Sequence, residues 1–122
     1  METKSVVSRI LSLPERFYSP ENDQSIYSLL QDTGYFEMYN NINENTVKEA
    51  LEQHPQYVDQ WLGWSEDKRA GSGWYFIQDN NQKYVVGFLD PDKGTTEKME
   101  YSDKKSACAS FIKQEIESIR KS

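Results

Sequence analysis

Trp61-Leu62-Gly63-Trp64-Ser65-Glu66-Asp67-Lys68-Arg69-Ala70-Gly71-Ser72-Gly73-Trp74-Tyr75-Phe76 holds all three tryptophans of the chain around a charged, glycine-containing stretch. Upstream, apolar residues recur every three or four positions; downstream they alternate, so a helical half gives way here to a sheet. Three indoles around such a joint mark either the keystone of the core or a binding patch, because a large ring contributes most when buried against a core or a partner.

Toward the N-terminus the spacing predicts four helical segments. Val6, Val7, Ile10 and Leu11 share one face of a helix over Ser5 to Leu13, which Pro14 is expected to stop. Residues 14–22, with two prolines, read as a connection. Asn22 or Asp23 can cap a helix through Asp32 that buries Ile26, Leu29 and Leu30, with Gly34 at its C-terminal cap. Tyr35 to Ile42 satisfies both a helical and an alternating pattern and reads as irregular chain or a short helix. Asn43 or Asn45 caps the next helix, lined by Val47, Ala50 and Leu51, which ends near His54 because Pro55 disfavours helix in the residue before it. Pro55 opens a helix carrying Tyr57, Val58, Trp61 and Leu62, for which Gly63 is the expected stop and Glu66 to Gly73 the following loop.

Beyond the joint, Trp74 to Gln78 and Lys83 to Leu89 flank Asp79-Asn80-Asn81-Gln82 as a β-hairpin. Asp90 to Gly94 forms a turn, and Thr95 to Tyr101 supplies a third antiparallel strand. Ser102 or Asp103 then caps a long helix whose stripe of Ala107, Cys108, Phe111, Ile112, Ile116 and Ile119 suits one face of a sheet, while Lys113, Arg120 and Lys121 suit its dipole. The expected fold is therefore α+β: a helical N-terminal half, a three-stranded antiparallel meander and a closing helix packed on it. Length fits a single domain over residues 1–122, burying roughly two-thirds of the unfolded chain's surface.

No catalytic or metal-binding signature emerges. Cys108 and His54 are the sole members of their types, and Cys108 falls on the apolar stripe, where a thiol is inert. A zinc site would need two carboxylates beside them, and no spacing supports one. Asp90, Asp92 and Gly94 resemble a calcium loop, but the glycine comes one position early and Tyr101 stands where a glutamate is needed. Gly71-Ser72-Gly73 lacks the lysine of a phosphate loop and the flanking strand-to-helix bend of a nucleophile elbow. Glu66 with Asp67 could act as an acid–base pair only in a cleft, and reads instead as a solvated turn. No catalytic residue, cofactor or metal is assigned. No segment has the roughly 20 apolar residues of a membrane helix or the form of a leader, so a cytoplasmic location is expected; the lone cysteine agrees with a reducing compartment.

Charge is the remaining signal. Residues 1–60 hold four Lys or Arg against ten Asp or Glu, whereas residues 61–122 hold ten of each, so the whole net charge of −6 lies in the first half. A field of that sign repels nucleic acid and raises encounter rates with a basic protein. Tyr27 and a set of Asp32, Tyr35, Glu37, Tyr39, Glu44, Glu49, Glu52 and Asp59 intersperse rings and carboxylates there, and Trp64, Glu66 and Asp67 extend the set into the joint. Tyrosines beside carboxylates are good anchors for Lys and Arg of a partner. The alternative is helix-face core and an ordinary wet surface.

The run from Val58-Asp59-Gln60-Trp61 through Trp64-Ser65-Glu66-Asp67-Lys68-Arg69 to Gly73-Trp74-Tyr75-Phe76, with Ala107-Cys108-Ala109-Ser110-Phe111-Ile112 near the end, resembles the small bacterial immunity proteins of contact-dependent inhibition and other polymorphic toxin systems. That resemblance implies a non-enzymatic cytoplasmic inhibitor that binds a cognate toxin domain, often a nuclease, at or beside its active site. It carries over no individual contact residue. A rival from another class is a ligand-binding domain or small enzyme with an aromatic pocket between meander and front helices, lined by Trp61, Trp64, Trp74 and Tyr84. A regulator that binds some other protein would carry the same chemistry as an immunity protein.

Overall fold

The computed structural model describes residues 3–68, 73–79 and 81–121, with the side chains of Asp67 and Lys68 outside the description. Among them the chain runs through α1 (Thr3–Leu11), α2 (Leu13–Phe17), α3 (Ile26–Asp32), α4 (Tyr35–Met38), a 3-10 turn (Tyr39–Asn41), α5 (Glu44–Gln53), α6 (Gln56–Lys68), β1 (Gly73–Gln78), β2 (Tyr84–Asp90), β3 (Gly94–Tyr101) and α7 (Lys104–Lys121). The architecture is the α+β arrangement of helical front, meander and C-terminal helix on the sheet. Residues 69–72 and Asn80, parts of the expected loop and hairpin turn, lie outside the described residues.

Local chemistry sets the element ends. Asn43 Oδ1 accepts from Thr46 N at 2.9 Å, and the Thr46 hydroxyl reciprocates toward the Asn43 amide, closing a capping box at α5. Asp103, not Ser102, caps α7: its carboxylate accepts from the Ser106 amide at 3.1 Å and hydroxyl at 2.7 Å. The Ser106 hydroxyl is the main reason this carboxyl is held below its ordinary range. Ser25, rather than Asn22 or Asp23, caps α3 by accepting from Ser28 N. Gly34 adopts φ 92° just past that helix, the left-handed conformation expected of it.

Two expected stops are not stops. Pro14 does not end the first helix; the chain breaks at Ser12, and Pro14 sits in the first turn of α2, where its missing N–H is not needed. Gly63 does not end α6, which continues to Lys68. A mid-helix glycine costs about 1 kcal/mol. Continuing as helix buries Trp64 and brings the Ser65 hydroxyl to accept from Phe76 N at 2.7 Å, tying α6 to the outer edge of β1. That gain exceeds the propensity loss, so Trp64 to Lys68 is helix rather than loop.

The strands pair antiparallel in the order β1-β2-β3, with Phe76 opposite Val86 and Val86 opposite Met99 on the face that α7 covers. On the other face Tyr75 stands opposite Gly87. A Cβ on Gly87 would meet the Tyr75 ring and would come 2.8 Å from the Glu97 carbonyl oxygen, so only glycine lets that ring lie across the strand.

The core is centred on Trp61, which is 1% exposed. Its ring meets Trp64 and Phe111 edge-on, each at 6.2 Å, and Phe111 in turn meets Phe76 at 5.9 Å. Its indole N–H donates to the Leu11 carbonyl at 3.0 Å, satisfying a group at the end of α1 that has no helical partner. Trp61→Phe should keep most of the burial but orphan that carbonyl, lowering stability by about 1–3 kcal/mol. Trp61→Ala should cost about 3–5 kcal/mol, measured as the shift in urea unfolding.

Candidate protein-binding surface

Two of the aromatic positions expected on a binding surface are interior. Tyr35 is fully buried and Trp64 is 8% exposed. Trp64 packs against Phe17 at 5.2 Å and donates its indole N–H to the buried Glu115 carboxylate at 2.7 Å. Both residues are removed from any contact surface because their rings fill the core and their polar atoms are already engaged. Tyr39 is half-buried, its ring covered by the Arg120 guanidinium at 3.7 Å. Of the rings expected to line an aromatic pocket, Trp61 and Trp64 are interior, whereas Tyr84 is half-buried against Phe76 and Trp74 half-buried against Phe88.

The carboxylates fare differently. Asp32, Glu37, Glu44, Glu49, Glu52, Asp59 and Glu66 are all exposed; the Asp67 side chain lies outside the described residues. Asp59 is neutralised by Lys104 of α7 at 3.0 Å, and Asp32 accepts a hydrogen bond from Gln24 at 2.9 Å. Glu37, Glu44, Glu49 and Glu52 form no ion pair with any described residue. Glu49 and Glu52 stand three residues apart on the outer side of α5, away from buried Val47 and Leu51. Like charges at that spacing do nothing for helix stability.

Exposed rings accompany them. Tyr27 of α3 is 41% exposed and rests edge-on against Phe36 of α4 at 5.2 Å. Tyr18, 51% exposed, lies beside Phe17 and Trp64. The front half thus presents Tyr27 with a half-buried phenylalanine and unneutralised carboxylates on α4 and α5. A groove of about 470 Å³ runs between α1 and α5, bordered by Lys4, Arg9, Glu49 and His54 among others.

Sequence reasoning missed the polar cluster that fixes this half to α7. Lys113 donates to the Tyr35 hydroxyl at 2.7 Å and to the Tyr39 carbonyl at 3.0 Å. Tyr35 donates in turn to Glu117 at 2.6 Å, and Arg120 grips both oxygens of Glu117 at 2.7 and 3.1 Å. Arg120, backed by Tyr35 and Lys113, holds the Glu117 carboxyl at about 2 against the opposing effect of burial. Burial and the Glu117 partner drive the Tyr35 phenol the other way, far above its ordinary range, and burial lowers Lys113. Each group is satisfied, and the arrangement is a clamp rather than a reaction centre. Glu115 left a readable trace: it falls on the apolar stripe of α7, a polar residue at a core position, and it is 3% exposed.

Cys108 is fully buried and burial pushes its thiol far up, whereas His54 is exposed at the end of α5. A thiolate–imidazole pair is therefore not formed. Among the described residues no three His, Cys, Asp or Glu side chains converge as a metal site would require, and no helix is long and apolar enough to cross a membrane.

The clamp has a pH signature. A carboxyl lowered in the folded state from an ordinary 4.5 to about 2 contributes stability that is complete above pH 4.5 and disappears as pH falls through 2. Glu117→Gln should lower the urea midpoint at neutral pH. The gap to the parent protein should close across that acid window, as followed by midpoints at a series of pH values.

Comparison of the chain with family models, with curated proteins and with solved structures finds no match.

Proposed function

We propose that this chain is a non-enzymatic, antitoxin-like inhibitor that binds and neutralises a basic toxin domain, a nuclease by preference, through the acidic front surface. The observation that carries the reading is the set of exposed carboxylates on α4 and α5, Glu37, Glu44, Glu49 and Glu52, none of which forms an ion pair within 4.0 Å among the described residues, although Glu44 lies within electrostatic reach of Lys113. Such a field opposes the chain's own compaction, and besides keeping the protein in solution it raises the rate of encounter with a positively charged partner. Asp32 and Glu66 are exposed as well, Tyr27 offers a ring that can desolvate an incoming Lys or Arg, and Asp59 is held by Lys104. The resemblance to immunity proteins of polymorphic toxin systems agrees with this chemistry, and a cytoplasmic site of action follows from it.

Steering by such a surface acts on association rate more than on dissociation. Glu49→Lys combined with Glu52→Lys should slow association with the product of the neighbouring toxin gene by roughly tenfold and weaken its dependence on salt. Melting should stay within roughly 3 °C, because both positions are exposed and unpaired. Stopped-flow or surface-plasmon measurements across ionic strengths read the effect. If no adjacent gene product binds the chain or is neutralised by it, the proposal fails.

A further inference from the structure

The meander leaves one strand edge open. β3 pairs with β2 on one side only, and Gly94 to Lys98 and Glu100 are all exposed, while Met99 and Tyr101 are half-buried and α5 and α7 adjoin the strand at Tyr101. The opposite edge of the sheet is treated differently, since Ser65 of α6 caps the Phe76 amide of β1. An uncovered strand is a row of donors and acceptors that another strand can complete, and charged side chains usually guard against this. On β3 the order of the charges has a different consequence.

Two identical strands that pair antiparallel about a two-fold axis set one residue opposite itself, and the residues before and after it opposite each other. Centring on Glu97, Lys98 or Glu100 puts two like charges face to face. Centring on Met99 instead places Lys98 of each strand opposite Glu100 of the other, and Glu97 opposite Tyr101. Lys98 and Glu100 lie on the face away from α7, because Lys98 pairs with Gly87 while Met99 pairs with Val86 of the core face. They already stand 4.0 Å apart within one strand, so a second copy would turn one exposed pair into a four-charge alternation. The register irregularity of the β2–β3 pair lies at Phe88/Leu89, toward the far end, leaving Glu97 to Tyr101 regular.

We propose that two copies of this chain associate through β3 in the register centred on Met99, joining their meanders into one six-stranded sheet. The charges on β3 itself are mixed in sign, and at about 0.15 M salt the repulsion between the net −6 charges of two copies is largely screened beyond about 8 Å. The regular ladder is short, so the dimer is weak and depends on concentration. Beside Tyr101, the last paired residue, a groove of about 310 Å³ is bordered by Glu44 and Lys48 of α5.

Sedimentation equilibrium of the full chain up to about 1 mM at about 0.15 M salt, where the net repulsion between copies is screened, tests this, since a weak dimer of about 0.1 mM dissociation constant is populated there. The parent protein should dimerise reversibly. Lys98→Glu and Glu100→Lys should each raise the dissociation constant at least roughly tenfold by setting like charges opposite one another. The double exchange K98E/E100K restores the alternation and should restore the dimer. Both side chains are more than half exposed, at 57% and 52%, so each variant should retain the parental melting curve. A parent chain that stays monomeric at the highest concentration overturns the proposal. So does a dimer that ignores both single reversals, or one that the double exchange does not recover. Toxin binding by the α4–α5 surface is read separately, with the monomeric variants.

Discussion

Everything in this fold is hung on the burial of one indole between α6 and α7. Trp61 contacts Trp64 of its own helix and Phe111 of α7, while its N–H closes the last turn of α1. Phe111 continues the chain of rings to Phe76 in the sheet. Helical front and meander therefore share one core, although they are separated in sequence. The same constraint explains why α6 runs through Gly63: ending there would withdraw Trp64 from Phe17 and Glu115 and withdraw the Ser65 hydroxyl from β1. Burial of a tryptophan with its N–H satisfied outweighs the small helix penalty of one glycine.

A keystone of this kind cannot double as an interface. Once the rings at the joint are spent on the core, any recognition of the kind proposed would have to rest on side chains that remain outside, the exposed carboxylates among them. Fold and charge are thus assigned to different residues. The cationic groups of α7 that could quench the front half are largely engaged in holding it: Lys113 and Arg120 clamp Tyr35, Tyr39 and Glu117, and Lys104 takes Asp59. Neutralising Asp59 alone leaves the α4 and α5 glutamates as the sharper part of the field.

The elements whose signal is local were legible. The caps at Asn43 and Asp103, each narrowed to one of two residues, the left-handed Gly34, the hairpin and the apolar stripe of α7 each depend on a few neighbouring residues, and periodicity or turn chemistry reports them. The errors at Pro14 and Gly63 share a cause. Both residues were weighed by intrinsic propensity, yet position decided one and tertiary burial the other. Exposure was legible for the acids and not for the rings. An exposed glutamate is the default state of its side chain, so Glu49 and Glu52 were safe inferences. A tyrosine among carboxylates can face either way, and only the distant Glu117 and Lys113 decide that Tyr35 faces inward.

That division between acids and rings also bears on how binding at the front would be distributed between rate and lifetime. Exposed carboxylates draw a basic partner in quickly but hold it weakly, because each exposed pair contributes only about 0.2–1 kcal/mol. Long-lived complexes need a few desolvated anchors. With Tyr35 and Trp64 committed to the interior, Tyr27 on its Phe36 support, beside Glu37 in sequence, is an exposed ring that could serve as one. A single aromatic anchor inside a broad acidic field favours a partner that offers a matching apolar notch within a basic surface. Such a partner would be selected by shape at Tyr27 and recruited by charge at α5.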